Sequence, residues 1–325
     1  MKIAVDVMGG DFAPQELVSG AKSYLQAGGE AGLILVGDEK KIHELWPDMP
    51  ESCEIFHTEE VVEMGEHPLR ALKQKKNASV AVAARLVKQG KADAFISAGS
   101  TGAQMAASLL EMGKIPGIDR PAISIMLPTG GQRGALLLDV GANVDVRANH
   151  LVQFALMGSA YYKTVYGIDN PTVGLLNIGA EESKGNELTK AAFDLLKNCP
   201  VNFVGNIEAD HLYRGECDVV VCDGFVGNVM LKASEGISEM IQGTMGKAAM
   251  AFGEDTAKRL LGAFKKFSTS SPQYSAAPLL GVNGISLVCH GKSKAPIIAS
   301  AIKLADDCAK SGYVNLITEK LAKAE

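Results

Sequence analysis

Ile3-Ala4-Val5-Asp6-Val7-Met8-Gly9-Gly10-Asp11 opens the chain with an apolar run, then two glycines bracketed by aspartates. It reads as a strand that ends in a freed backbone turn, the way an α/β protein builds a site at the carboxyl end of a sheet strand. The construction recurs at Ser97-Ala98-Gly99-Ser100-Thr101-Gly102, Asp139-Val140-Gly141-Ala142-Asn143, Asn177-Ile178-Gly179-Ala180 and Asp223-Gly224-Phe225-Val226-Gly227-Asn228. Five such exits, each with small polar side chains, imply one large composite site for a small anion and an extended substrate.

Working outward, β-rich runs alternate with helical patterns. Strands are predicted at 2–6, 32–36, 53–57, 93–97, 122–127, 134–139, 172–177, 201–204, 218–222 and 284–289. Helices are predicted at 78–89, 102–112, 148–166, 187–197, 224–250 and 295–310, among others. That alternation means a mostly parallel sheet with helices on both faces. The loop from Pro128 to Arg133 is too short for a parallel crossover, so 122–127 and 134–139 should form an antiparallel hairpin. The sheet is then mixed. No linker interrupts residues 1–325, so one α/β domain with two subdomains around a cleft is expected.

Composition narrows the function classes. An apolar content of 47% supports a large core, and a net charge of −5 gives no global reason to bind nucleic acid. Cys222 and Cys289 sit in apolar runs and read as core thiols of a reducing compartment. No targeting segment is seen, and no apolar run approaches the ~18–20 residues of a spanning helix. A cytosolic protein, at most peripheral to a membrane, is expected. Glycine-rich nucleotide fingerprints, zinc-helix motifs and serine elbows are missing, which weakens dehydrogenase, P-loop kinase, zinc hydrolase and esterase readings. No residues have metal-ligand spacing, and neither metal nor cofactor is expected.

Several residues admit two readings. Ser100 and Thr101 stand where a helix begins; they cap it, or its amides bind phosphate. Lys184 and Asn186, in Glu181-Glu182-Ser183-Lys184-Gly185-Asn186-Glu187, belong to a solvated charged loop or hold a phosphate or acyl oxygen. Asp223 and Asn228 carry the same choice, and His290 is a turn residue or a catalytic group. Asp6, Asp11, Asp139 and Asp145 are too scattered to name an acid/base pair. Arg70, Lys73, Lys75 and Lys76 form a solvated helix face or the positive patch that an acidic carrier protein needs.

Segment 236–268 stands apart. Ile241, Met245, Ala249, Phe252, Leu260, Leu261, Phe264 and Phe267 fall near helical spacing, with Lys258, Arg259, Lys265 and Lys266 among the later ones. A protruding amphipathic segment is expected, buried in a dimer interface or core, lying in a membrane interface, or both.

Taken together, these blocks resemble the phosphate acyltransferase (PlsX) family of bacterial phospholipid synthesis. The resemblance runs from Met1 to about Ala305, through DVMGGDFAP (6–14), LVGD (35–38), SAGSTGA (97–103), LDVGANVD (138–145), LVQFALMGS (151–159), LLNIGAEESKGNE (175–187), FVGNIE (203–208), DVVVCDGFVGNVMLK (218–232) and YSAAPLLGVNG (274–284), with His290-Gly291. Phe12, Ser100, Ala276 and Val146 depart from the common residues His, Asn, Gly and Cys, which touches only fine details of the site. The resemblance implies transfer of a fatty acyl group from acyl carrier protein to inorganic phosphate. It also implies a homodimer, a downstream membrane-bound glycerol-phosphate acyltransferase, and a three-layer α/β/α fold similar to isocitrate and isopropylmalate dehydrogenases. Phosphate and acyl contacts would then fall to Asp6, Gly9, Gly10, Asp11, Ser97, Gly99, Ser100, Thr101, Gly102, Asp139, Asn143 and Asp223. Lys184, Asn186 and Asn228 would supply donors to phosphate or oxyanion, and His290 would protonate the leaving thiolate. Contact with carrier protein or an anionic membrane would fall to the two basic groups at 70–76 and 258–266.

Overall fold

In a computed structural model the chain is described at residues 1–131, 133–250, 253–266, 274 and 276–322. Phe252 and Phe267, and the side chains of Lys265 and Lys266, lie outside the described residues. The chain divides into two compact units: Met1–Pro121 with Thr164–Gly167 and Ala276–Glu325, and Ala122–Lys163 with Ile168–Ser275.

The first unit runs β1 (Lys2–Asp6), α1 (Gln15–Gln26), β2 (Gly32–Gly37), α2 (Glu39–Leu45), β3 (Cys53–His57), α3 (Pro68–Gln74), α4 (Ser79–Lys88), β4 (Ala94–Ser97) and α5 (Thr101–Glu111). The second carries β5 (Ala122–Leu127), β6 (Ala135–Leu138), α6 (Ala148–Tyr166, all but its end), β7 (Thr172–Leu176), α7 (Glu187–Leu196), β8 (Asn202–Ile207), α8 (Ala209–Arg214), β9 (Val219–Val221), α9 (Gly224–Met250) and α10 (Glu254–Lys266). The chain then returns to the first through β10 (Ala276–Leu280), β11 (Ser286–Cys289), α11 (Ala295–Ser311) and α12 (Tyr313–Ala322).

In the first unit the strand order is β3-β2-β1-β4-β11-β10, parallel except for β10 against β11. Ile3, Ala4 and Val5 are fully buried, as a central parallel strand covered on both faces requires. The chain leaves β1 for β2 on one side and returns to β4 on the other. Right-handed crossovers in opposite directions put their helices on opposite faces, which produces the three layers. Helices α1 and α11 accordingly pack on each other, and α4 packs on α5. The loops after β1 and β4 diverge at that switch point, where α/β sheets place ligands.

In the second unit the order is β5-β6-β9-β7-β8. The expected hairpin is present, β5 pairing antiparallel with β6, and the remaining pairs are parallel. The chain runs out to β7 and β8, then returns to lay β9 between β6 and β7. The exits of β6, β9 and β7 are therefore neighbours.

Strand β10 has no counterpart among the predicted strands. Its sequence, Ala276-Ala277-Pro278-Leu279-Leu280, has weak β-formers and a proline. Its pairing with β11 makes it a strand. Helix α9 has the predicted bounds, and α10 packs against it. Along 236–266, Met240, Met250 and Leu260 are exposed, whereas Ile241, Met245, Leu261 and Phe264 are half-buried. Lys258 is paired with Glu254 at 2.8 Å, so part of the expected basic rim is neutralised within its own helix. Among the described residues, no helix is long and apolar enough to cross a membrane.

Candidate active site

The residues singled out in the sequence fall into two clusters, one at the strand exits of each unit. In the first unit the neighbouring strands β1, β4 and β11 bring 6–11, 97–102 and 290–291 together. Asp6 is 1% exposed. Its carboxylate accepts from Ser97 Oγ at 2.6 Å and from the Met8 N–H at 3.2 Å, with Ser79 lining the space beside it. Ser97 Oγ in turn accepts from the Gly99 N–H at 3.1 Å. Burial pushes the Asp6 carboxyl above the ordinary range, against the pull of these hydrogen bonds.

Asp6 and fully buried Ser97 therefore face inward and tie the two loops together. The space that Asp6, Gly9, Ser79, Ser97 and Ser100 line is narrow, about 10 Å³. A Cβ on Gly9 would lie 2.7 Å from Asp6 Oδ2 and 2.8 Å from the Gly99 nitrogen, so one glycine loop rests directly on the other. Gly10 takes φ +112°, and the Asp11 N–H donates to the Gly291 carbonyl at 2.9 Å. Ser100 caps α5 through the Ala103 N–H at 3.4 Å. The first-turn amides of Thr101 and Gly102 then point out of the helix N-terminus, as in any α-helix.

His290 is exposed, and its Nδ1 accepts from the Lys292 N–H at 3.1 Å. The neutral ring must then carry its proton on Nε2, where it is a hydrogen-bond donor. The geometry makes it a donor.

The second cluster is built at the exits of β6, β9 and β7. Asp139 is fully buried and accepts five hydrogen bonds. They come from the N–H groups of Ile123, Gly141, Ala142 and Asn143 and from Asn143 Nδ2, at 2.7–3.1 Å. Burial raises its pKa despite them. The Asn143 carbonyl accepts from the Gly224 N–H at 2.7 Å, and Asp223 caps α9 through Phe225 and Val226. Asp139 and Asn143 are the frame of the loop.

Asn228 is exposed beside Gly141, where a Cβ would come within 3.7 Å of it. Lys184 is half-exposed, and its Nζ lies 4.0 Å from Glu181 Oε1. Its loop needs glycine at 185, where φ is +96° and a Cβ would lie 2.6 Å from Asn177 Oδ1. Asn186 is the N-cap of α7: its Oδ1 accepts from the Thr189 N–H at 2.9 Å, and Thr189 Oγ1 accepts from the Asn186 N–H. We expect Asn186→Ala to cost about 1 kcal/mol of stability, the worth of an N-cap, and to leave turnover within about twofold. Chemical denaturation and steady-state kinetics on the same sample check this.

Among the basic residues of 70–76, Lys75 donates to Glu66 at 2.6 Å and to the Val61 carbonyl at 2.7 Å. It holds Glu66 below its ordinary range. The expected patch is reduced to exposed Arg70, Lys73 and Lys76. Cys53, Cys217, Cys222, Cys289 and Cys308 are buried; burial pushes Cys289 up to about 12 and Cys217 to about 11. Such thiols are poor nucleophiles. Among the described residues, no group of three or more His, Cys, Asp or Glu could hold a metal ion. What the clusters display is donors: backbone amides, one lysine, one imidazole N–H and the Asn228 amide. That is equipment for holding an anion and a developing oxyanion.

The profile of the "Fatty acid synthesis protein" family matches residues 1–316. A phosphate acyltransferase from Desulforamulus reducens is 50% identical over 327 residues, covering 99% of this chain and 97% of its own. One from Moorella thermoacetica is 50% identical over 326 residues, covering 98% and 95%. Among solved structures, EutD phosphotransacetylase from Staphylococcus aureus is similar with a TM-score of 0.61 at 18% identity, covering 96% of this chain and 94% of its own. A 4-hydroxythreonine-4-phosphate dehydrogenase from Klebsiella pneumoniae is similar with a TM-score of 0.56 at 12% identity, covering 95% and 98%. At such identities the structures speak for the fold alone.

Proposed function

Because this chain belongs to the phosphate acyltransferase family of fatty acid synthesis proteins, an enzyme family, we propose that it transfers a long-chain acyl group from an acyl carrier protein thioester to inorganic phosphate, releasing acyl phosphate for phospholipid synthesis. One observation carries the reading on the structural side. The strand exits display hydrogen-bond donors, while five of the six cysteines are buried.

Phosphate needs no activated side chain to attack, since its second ionisation lies near ~6–7, as for phosphoesters. One of its oxygens adds to the thioester carbonyl, the carbonyl oxygen takes the negative charge, and the intermediate collapses with cleavage of the C–S bond. A thiol of pKa ~8.5 leaves readily without an acid. The protein's work is to hold phosphate, align it and stabilise the oxyanion. We assign as donors to phosphate or oxyanion the backbone of Gly9, Gly10 and Ser100–Gly102 with His290 Nε2–H in the first unit, and Lys184 and Asn228 in the second. Arg70, Lys73 and Lys76 are the proposed contact for the acidic carrier, and Lys258, Arg259, Leu260, Leu261 and Phe264 for an anionic membrane surface. A homodimer and delivery of the product to a membrane glycerol-phosphate acyltransferase complete the reading.

Mass spectrometry of palmitoyl-acyl carrier protein, incubated with and without phosphate and with no metal or nucleotide added, tests it. Free carrier protein and acyl phosphate should appear only with phosphate. Conversion of short acyl-CoA in place of the carrier thioester would overturn the assignment of the donor.

A further inference from the structure

We propose that Asn206 is a positioning residue that acts through Lys184, an inference that rests on the reading of Lys184 as a donor to the reacting groups. Asn206 is 7% exposed on β8, opposite Leu175 of β7. A position so buried in a strand ordinarily takes an apolar side chain. An amide is kept there only with its polar atoms matched, and here both are. Asn206 Oδ1 accepts from Asn177 Nδ2 at 3.0 Å, and Asn206 Nδ2 donates to the Glu181 carbonyl at 2.9 Å.

The partners of Asn206 hold the two limbs of one loop. Asn177 stands at the exit of β7, where its Oδ1 accepts from the Ile178 N–H at 2.9 Å and its Nδ2 reaches the Lys184 carbonyl at 3.3 Å. The Lys184 N–H in turn donates to the Glu181 carbonyl at 3.0 Å, the same oxygen that Asn206 grips. The main chain on both sides of Lys184 is thus tied to the sheet through one buried pair of amides. A lysine on a flexible four-carbon stem is a useful donor only where its backbone is fixed. The Asn206–Asn177 pair supplies that fixing, and the half-exposed ammonium is left to its task.

The experiment is a double-mutant cycle on the full chain, read as kcat/KM for phosphate with palmitoyl-acyl carrier protein and as a thermal midpoint. Asn206→Ala removes both bonds. Asn206→Asp keeps the shape and the acceptor toward Asn177, but sets an oxygen against the Glu181 carbonyl. Each should lower kcat/KM about 10- to 100-fold in the otherwise unchanged enzyme, the cost of misplacing a catalytic group by about an ångström. In a Lys184→Ala background each should cost less than about twofold, because the group being positioned is gone. Equal losses in both backgrounds, no loss in either, or loss of the fold in both variants would overturn the positioning role. Unchanged turnover in Lys184→Ala alone would instead remove the donor reading, before Asn206 enters the comparison.

Discussion

Lys184→Ala lowers kcat by about 10²–10³ while the protein stays folded, the expected loss for a donor that meets its charge only in the transition state. The two readouts separate because of where Lys184 sits. Its side chain is 47% exposed and its pairing with Glu181 is loose, at 4.0 Å. Exposed pairs of that kind contribute about 0–1 kcal/mol to stability, so the thermal midpoint should hardly move. The kinetic partition says which group the ammonium serves. A fall in kcat with KM for phosphate unchanged places it on the oxyanion. A rise in KM for phosphate with kcat unchanged places it on bound phosphate. Full turnover with unchanged KM would remove Lys184 from the mechanism and leave the work to backbone amides and Asn228.

The layers and most strands are legible in the sequence because the signals are local and strong. Ile3-Ala4-Val5, Val219-Val220-Val221 and Leu136-Leu137-Leu138 are apolar runs with sharp glycine or aspartate exits, and all nine residues are 1% exposed or less. The hairpin of β5 and β6 follows from loop length alone. What stays hidden depends on partners far along the chain. Strand β10 is made of alanine, proline and leucine, and only its pairing with β11 declares it. The order β1-β4-β11, which gathers three loops, is a matter of topology that no short window contains.

The site divides in the same way. Glycine-rich exits and Lys184 are visible, because a strand that ends in small residues announces an approach of backbone to ligand. The roles of the acidic residues are not. Asp6 and Asp139 look alike in sequence to a solvent-facing carboxylate, yet each is enclosed by donors, at 1% and 0% exposure. Ser79, buried and lining the same space as Asp6, opens a mostly apolar helix and carries no motif. Asn206 lies inside FVGNIE with a single signal, a polar residue at the buried end of a strand. Supporting groups of this kind are recognised by what they hold, and that is known only once the loops are in place.

Gly227→Ala decides between two effects of opposite sign. Gly227 lies in the first turns of α9, and replacing a helical glycine by alanine ordinarily stabilises by about 1 kcal/mol. Its surroundings reverse the expectation. A Cβ at 227 would fall inside the contact envelope of the Asp139 carbonyl oxygen and lie 2.9 Å from Cys222 Sγ. Neither neighbour can retreat. Asp139 is pinned by the five hydrogen bonds to its carboxylate, and the Cys222 N–H donates to the Leu138 carbonyl at 2.6 Å. Overpacking against fixed backbone wins over propensity, and the variant should lose about 3 kcal/mol or more. Activity should fall with it, because Asn228 is the next residue and rides on the same turn. Gly236→Ala is the control: it sits in the same helix, exposed, with nothing within 4 Å of where the methyl would stand, and should gain about 0.5–1 kcal/mol. Denaturant midpoints of the two variants against the parent measure the difference. Equal stability of Gly227→Ala and Gly236→Ala would mean that α9 does not press on the Asp139 loop, and would sever Asn228 from the frame that Asp139 supports.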